Sequence, residues 1–494
     1  MVVATDAKSM EVNETEDRPV VRKEAKYEFI GREKLLVKSY QPNLQYVHIY
    51  ATRLNSLRPK VNKAMQHRIS ENLLNSSSLS STSRGSPSKQ HEGGADGNVP
   101  RVPLVSISAI RPDRKYAVIG TLQKRQTLKP SILKEVSEEH NLEPPVIRDT
   151  FVDKSDQIFI EDDTQSLALT GNIDTQNLCN GLSVSLFIGM VVGAIGKENS
   201  DGEFQVDEIF YPHNSELISN SPAMDSEKSG DEGDSFVMFV SGLNVGGDYE
   251  SVLLDMLASF VSGDCGPMSE ISSKIVRVIV CGNSIDSKCV DKELHTQALY
   301  LSKKSTLSSV LPLQTLDCTL QQMCSSCNVD VMAGETDPCT AFLPQQPMNR
   351  CMFPKSRVYS TFATVTNPYH CKIDDSIIVG CSGQNLKDIG RYSTVTDELA
   401  ALEMTLKSQI TCPTAPDTLP CYPLGKSKED PFIIDPQPRV YFAGNCSELQ
   451  YKLLNNETQL ILCVPTFSKT KEAVLVNLKD LKVTPVCFSD VLMC

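Results

Sequence analysis

The chain has 494 residues, 40% of them hydrophobic and 22% charged, with a formal net charge of -13. That length exceeds one ordinary domain, so two or three are expected. The acidic balance excludes a protein whose whole surface grips nucleic acid. Trp is absent and aromatics are only 6%, so any stacking platform for single strands has few Tyr and Phe to draw on.

The opening stretch MVVATDAKSMEVNETEDRP is polar and acidic and carries no secretory signal. The 17 cysteines are odd in number and scattered, which fits free thiols in a reducing compartment better than a disulfide scaffold. Residues 1–40 lack a periodic apolar pattern and are expected to form a disordered tail. Residues 41–101 hold a helix followed by a flexible loop. In YVHIYATRLNSLRPKVNKAM (46–65), Val47, Tyr50, Leu54, Leu57 and Val61 recur at helical spacing, with Pro59 expected to break or kink the helix. The Ser/Gly-rich run SSSLSSTSRGSPSKQHEGGADGNVP that follows is too polar to fold.

From 102 to 213 the text changes to short β-like runs: YAVIGTL, DQIFIED, SLALTGNI, GMVVGAIG and EFQVDEIFY. Asp201-Gly202 between the last two is a hairpin signal. Five short strands with one helical insert, PSILKEVSEEHNL, predict a small Greek-key barrel of the OB type, with an open sandwich as the alternative. The longest apolar run, LSVSLFIGMVVGAIG (182–196), is Gly-punctuated, β-branched and too short for a bilayer-spanning helix. It is read as strand, without membrane contact. Residues 214–234 form an acidic, Ser-rich linker.

Residues 235–494 read as α/β. SFVMFVSGLNVGG, IVRVIVCGNS, NVDVMAGETDP, SIIVGCSGQN, RVYFAGN, QLILCVP and EAVLVNL are near-continuous apolar strands, the mark of sheets covered on both faces. LLDMLASFVSG, the long run 294–324 and TDELAALEMTLKSQ supply helices. Several strands end in Gly plus a polar residue, which suggests the loops of a metallophosphoesterase sandwich. In that architecture two metals are held by Asp, Asn and His on loops of the form D-x-H, G-D-x-x-D, G-N-H-D/E and G-H-x-H.

This chain departs from that pattern loop by loop. Ser241-Gly242-Leu243 stands where D-x-H belongs. In Gly282-Asn283-Ser284-Ile285-Asp286 the bridging Asp is Asn, and in Gly334-Glu335-Thr336-Asp337 the Asn is Glu and the His is Thr. Gly444-Asn445-Cys446 has lost both His. From Ser235 onward the only histidines are His295 and His370, neither in a matching loop. Neutral imidazoles and a bridging carboxylate are what such metal pairs need. Neither catalytic nor metal-ligating residues are therefore assigned, and no cofactor is expected.

The segments YVHIYATRL, LKPSILKEVSEEHNL, SGLNVGG, GETDPCTAFLPQQP, CMFP, TNPY, SGQNLKDIGRYS, PTAPDTLPCYP and VYFAGN follow one another from about residue 40 to 490. On them the chain resembles the B-subunits of eukaryotic replicative DNA polymerases, and LPQQP, SGQN and TAPDTL point to the small subunit of the delta enzyme. The resemblance implies an OB-type β-barrel plus a four-layer α/β/β/α metallophosphoesterase-like sandwich without its metal ligands. It also implies a non-catalytic, nuclear scaffold for DNA replication and repair. Such a scaffold grips the cysteine-rich C-terminal domain of the catalytic subunit, meets a further accessory subunit, and is shared with polymerase zeta. DNA would be touched only indirectly or weakly. Three departures stand against the family pattern: Thr336 in the GETDP loop, extra residues around 180–188, and the length of the 70–100 stretch.

Other features read structurally. Asp286, Glu335 and Asp337 could bind one weak Mg²⁺, but hard-cation sites need more converging oxygens, so capped or solvated loop acids are preferred. Cys318, Cys324, Cys327, Cys339 and Cys351 crowd one region, yet a single C-x-x-C without a second one favours free thiols. His48 and His140 lack nucleophile partners, and Ser241 lacks the G-x-S-x-G context. Lys124, Arg125 and Lys129 are read as a solvated basic face rather than a DNA contact. The rival functions are a phosphoesterase with a rearranged metal site and a single-strand-binding OB protein.

Overall fold

The computed structural model describes residues 22–37, 43–78 (side chains to residue 67), 102–112, 114–130, 148–171, 187–212, 233–247, 252–264, 269–289, 310–425 and 429–488. Most of the expected acidic linker, His140, His295, most of the 180–188 stretch and the polar run after residue 78 lie outside the described residues.

The five barrel runs become β2 (Tyr116–Arg125), β3 (Gln157–Glu161), β4 (Ser166–Gly171), β5 (Val191–Glu198) and β6 (Phe204–Phe210). They close in the order β2-β3-β4-β6-β5. The β5–β6 hairpin turns at Gly202, which takes a positive φ of 76° with open space around it, a conformation that suits glycine.

The remaining strands build two six-stranded sheets. One runs β10 (Phe362–Val365), β9 (Asn328–Met332), β8 (Ile275–Cys281), β7 (Phe236–Val240), β16 (Glu472–Asn477), β17 (Val483–Cys487). The other runs β1 (Tyr27–Phe29), β11 (Tyr369–Ile373), β12 (Ser376–Cys381), β13 (Val440–Cys446), β15 (Gln459–Pro465), β14 (Gln450–Leu454). Their inner faces share a core that includes Phe239, Ile279, Ile378 and Phe442. Helices α3 (Val252–Ser262) and α5 (Val310–Cys324) cover the outside of the first sheet. The short α4 (Ser269–Ser273) is tied to α3 by Ser272 Oγ, which donates to the Phe260 carbonyl at 2.6 Å. Helices α6 (Gln384–Tyr392) and α7 (Glu398–Lys407) cover the second sheet. The result is four layers, α/β/β/α. It explains why β8 can be buried at every residue: both faces of a central parallel strand are covered. Asp397 caps α7 by accepting the Leu399 N–H at 3.1 Å.

The barrel is fused to the sandwich rather than tethered beside it. Its core residues Val118, Leu122 and Val192 belong to the same apolar cluster as Leu402, Tyr441 and Ile461 of the sandwich. Phe151 stacks on Tyr392 with ring centroids 5.1 Å apart, and its N–H donates to the Arg391 carbonyl. Helix α2 (Val47–Ser78) fills the groove between the two units, packing on the barrel and on the segment around 410–433. Its inner face carries Ile49, Leu54, Leu57, Val61 and Met65; Val47, assigned to that face from the sequence, is exposed instead. Pro59 does not break the helix. Pro59 and Asn55 are both exposed, so the carbonyl that loses its partner can bond to water.

Two further expectations are corrected. The tail assigned to residues 1–40 is ordered in part. β1 pairs antiparallel with β11, α1 (Arg32–Leu35) follows, and Leu35 is fully buried. The strand is pinned by Tyr27: the Arg277 guanidinium lies over its ring at 3.7 Å, and its hydroxyl meets Tyr369 Oη at 2.9 Å. Removing residues 1–37 is expected to lower the melting temperature by about 5–10 °C, read by differential scanning calorimetry, because β11 becomes an open edge beside a buried ion pair. The basic face is free only in part: Arg125 is exposed, but Lys124 and Lys129 are half-buried. Lys129 pairs with Asp417 at 2.6 Å, Arg125 lies over the Phe159 ring at 4.1 Å, and Lys124 points to the Tyr392 carbonyl. Burial lowers the Lys124 ammonium pKa to about 8. None of the described helices is long and apolar enough to cross a membrane.

Candidate functional site: the loops at the strand ends

The C-terminal ends of β7, β8, β9 and β10 in one sheet meet those of β12, β13 and β15 in the other. The loops read from the sequence are brought together there, and each holds another in place through hydrogen bonds. Ser241, fully buried after β7, donates to the Pro465 carbonyl at 2.9 Å and accepts the Asn445 N–H at 2.9 Å. Asn445, at φ 57° near the end of β13, donates through Nδ2 to the Ser382 and Cys281 carbonyls at 2.8 and 3.2 Å. Gly242, at φ 61°, sits so tightly that a Cβ would lie 2.6 Å from Thr466 Cγ2 and 2.8 Å from Asn445 Oδ1. Asn283, at φ 53° after Gly282, accepts the Thr336 N–H at 3.3 Å, and Thr336 Oγ1 donates to the Ile285 carbonyl at 2.6 Å. Thr336 therefore joins two loops.

The three loop acids point in three directions. Glu335 faces outward and pairs with Lys387 at 2.6 Å, beside a cavity of about 200 Å³ lined also by Asp388 and Arg391. Asp286 accepts the Lys288 N–H at 2.8 Å and closes its own turn. Asp337 is buried beneath the loops. Its Oδ1 accepts the Ser284 and Ile285 N–H groups at 2.8 and 3.0 Å, and its Oδ2 accepts Gly334 N–H at 2.8 Å. Burial raises its pKa to about 6 despite those donors.

Two residues that sequence reasoning missed complete the centre. Asn367 Nδ2 donates to Gln345 Oε1 at 2.8 Å and Ser382 Oγ at 2.7 Å, and its Oδ1 accepts the Ser382 N–H at 3.1 Å. Gln345 Nε2 donates to the Gly334 and Thr340 carbonyls. The TNPY and LPQQP words contained Asn367 and Gln345, but their spacing to the loop glycines gave no signal.

A two-metal centre does not fit this donor set. The one buried oxygen left over among these loop side chains, apart from the Ser284 hydroxyl, is the neutral amide Asn445 Oδ1. Among the described residues no three His, Cys, Asp or Glu gather as ligands. His370 lies within β11, where burial lowers its pKa to about 3. Cys324 and Cys327 are buried thiols, Cys324 raised to about 12 by burial.

Replacing Gly334 by alanine would drive Cβ into the Asn283 backbone N and Oδ1. Chemical denaturation should show a loss of about 2 kcal/mol, since backbone cannot give way as a flexible side chain does.

Two family models match the chain. "DNA polymerase delta subunit OB-fold domain" covers residues 45–209, which contain all five barrel strands except the last residue of β6. The model of the DNA polymerase alpha/epsilon B-subunit covers residues 237–452, which contain most of the sandwich. The class is therefore the B-subunits of DNA polymerases. Over most of its length the chain is similar to the DNA polymerase delta small subunit of Oryza sativa subsp. japonica, 32% identical, covering 95% of this chain and 98% of that protein. It is likewise similar to DNA polymerase delta subunit 2 of Drosophila melanogaster, 35% identical, covering 78% and 86%. The chain belongs to the DNA polymerase delta small-subunit family. A solved archaeal phosphodiesterase overlays 51% of this chain and 99% of its own at TM-score 0.29 and 10% identity, too loosely to speak for a shared site.

Proposed function

We propose that this chain is the non-catalytic accessory subunit of a nuclear DNA polymerase delta, assembling the holoenzyme for replication and repair. The observation that carries the reading is full-length similarity to proteins named as that small subunit, at 32% identity over 98% of one of them. The proposed partners are the catalytic subunit, gripped through its cysteine-rich C-terminal domain, a third accessory subunit, and the catalytic subunit of polymerase zeta. The strand-end loops support the absence of hydrolytic chemistry, because their side chains are committed to one another and to backbone groups. Their work is to fix the relative position of two sheets, which suits a rigid docking body. Direct DNA binding is proposed to be weak, since Lys129 of the barrel is already neutralised by Asp417.

A pull-down of the tagged chain from nuclear extract of its own source tests this. A polymerase catalytic subunit in near-equal amount is the expected result. Its absence from an extract that contains it would refute the reading. Cleavage of a phosphodiester by the purified chain with added Mn²⁺ would instead restore the phosphoesterase alternative.

A further inference from the structure

Helices on the outer layers of this fold carry charges on their wet sides. Asp255 of α3 and Lys387 and Arg391 of α6 are exposed in this way. Helix α5 is the exception. The single charged residue among its 15, Asp317, is turned inward and is 2% exposed. Its wet positions are Leu311, Gln314, Thr315, Cys318 and Gln322, all uncharged. In a chain with 22% charged residues, such a face has the composition of an interface core, where charge is depleted.

A basic segment is fastened beside that face. Asp317 accepts the backbone N–H groups of Lys355 and Ser356, each at 2.9 Å, and the Ser356 hydroxyl at 2.7 Å. Lys355 Nζ reaches across to Cys318 Sγ at 3.0 Å, so the segment lies against the wet face itself. Arg350 Nη2 donates to the Arg357 carbonyl at 3.2 Å, which gathers Arg350, Lys355 and Arg357 on one short stretch. All three are exposed, and none pairs with a carboxylate among the described residues. Val358 follows them at 79% exposure. Leu311, two helical turns before Cys318 on the same face, is 73% exposed. These are the two most exposed large hydrophobic side chains among the described residues.

We infer that the wet face of α5 and residues 350–358 form a docking surface for a partner subunit's segment in which carboxylates flank an aliphatic side chain. The inference rests on the accessory-subunit reading above and names a surface for it. Charge complementarity selects the occupant. Three cations without carboxylate partners, in a chain of net charge -13, favour an acidic segment and repel a basic one. Nucleic acid would meet the same cations, but the protruding apolar groups are Val and Leu, which give a base no ring to stack on. Because Asp317 already grips the basic segment, docking has little backbone left to order.

The test compares the free full chain with the complex recovered by the tagged chain. Hydrogen exchange at 311–322 and 350–358 is expected to slow in the complex. Carbodiimide, which joins an ammonium to a carboxylate without a spacer, is expected to link Lys355 to an Asp or Glu of another subunit. Lys355→Glu combined with Arg357→Glu should weaken capture of that subunit about tenfold or more, the cost of setting like charges opposite one another. Val358→Ser should weaken it about tenfold, the worth of burying that side chain. Its melting temperature should be unchanged, since Val358 is exposed in the free chain. A complex that forms with both segments exchanging as in the free chain, or that ignores the charge reversal, overturns the inference and leaves the accessory-subunit reading standing. Lys355 links only to acids within residues 1–21 of this chain, or protection of these segments by an oligonucleotide and not by a subunit, overturn it as well. Recovery of no polymerase subunit refutes that reading and this inference with it.

Discussion

Replacing Arg53 by methionine is expected to destabilise the chain by about 3–5 kcal/mol, the range for removing one partner of a buried ion pair. Arg53 is fully buried on α2, and its Nε donates to Asp430 at 2.8 Å, with the Asp430 side chain also fully buried. Nη1 donates to the Pro413 and Ala415 carbonyls at 3.1 and 3.0 Å. One side chain thus ties the helix between barrel and sandwich to the 410–433 segment. Gly189 lies against the same guanidinium, at φ 83°, where a Cβ would collide with the Pro413 carbonyl. Methionine keeps the apolar stem but leaves Asp430 charged, buried and without its cation. Adding Asp430→Asn should recover much of the loss, because the amide oxygen can still accept the Phe432 N–H that Asp430 Oδ1 holds at 2.9 Å. A urea-denaturation double-mutant cycle measures both effects. A loss below about 1 kcal/mol in the single variant would show that Arg53 is not the strut its contacts describe.

Arg53 also marks where sequence reading stops. The barrel strands were legible because each is a short apolar run closed by turn residues, and the sandwich strands because burial on both faces demands continuous Val, Ile and Leu. The strand-end loops were legible because several apolar strands end in Gly plus a polar residue, and there Gly242, Gly282, Asn283 and Asn445 adopt positive φ. A charged residue on the inner face of a helix looks like a solvent residue until its partner, 377 positions away, is placed. The same holds for β1. Its three residues Tyr-Glu-Phe carry no pattern of their own, and what fixes them is Arg277 and Tyr369, far along the chain. Lys124 and Lys129 failed for a related reason, since charge predicts a wet face only when no domain docks on it, whereas Arg125 is exposed as expected. At the site, Asn367 and Gln345 were hidden because neutral amides in loops have no spacing rule.

Asp337 offers the second large effect, and its sign depends on pH. The folded pKa, about 6, lies above the ordinary value of 3.8. A carboxyl raised on folding adds stability below its unfolded pKa, and that contribution is lost as pH rises through the folded value. Between about pH 4 and pH 6 the buried group therefore becomes a charge whose desolvation exceeds what its N–H donors return, on the order of 3 kcal/mol by linkage. Asparagine stays neutral throughout and can keep the Ser284 and Ile285 N–H bonds on one oxygen, though it turns an amide group toward Gly334 N–H. Asp337→Asn should thus look worst near pH 4.5 and draw level with, or pass, the unaltered chain near pH 7.5. Asp337→Ala should lose about 3 kcal/mol at pH 4.5, because the donors lose their acceptor. At pH 7.5 it should look milder, since the unaltered chain then carries the buried charge. Other carboxylates move with pH as well: Glu403, tied to Lys407 and Lys452, is held below its ordinary value. The informative quantity is therefore the difference between variant and unaltered chain at each pH, which cancels groups common to both. If the Asp337→Asn difference stays flat from pH 4 to 7, the carboxyl is ionised throughout that range, and its ring of N–H donors outweighs its burial.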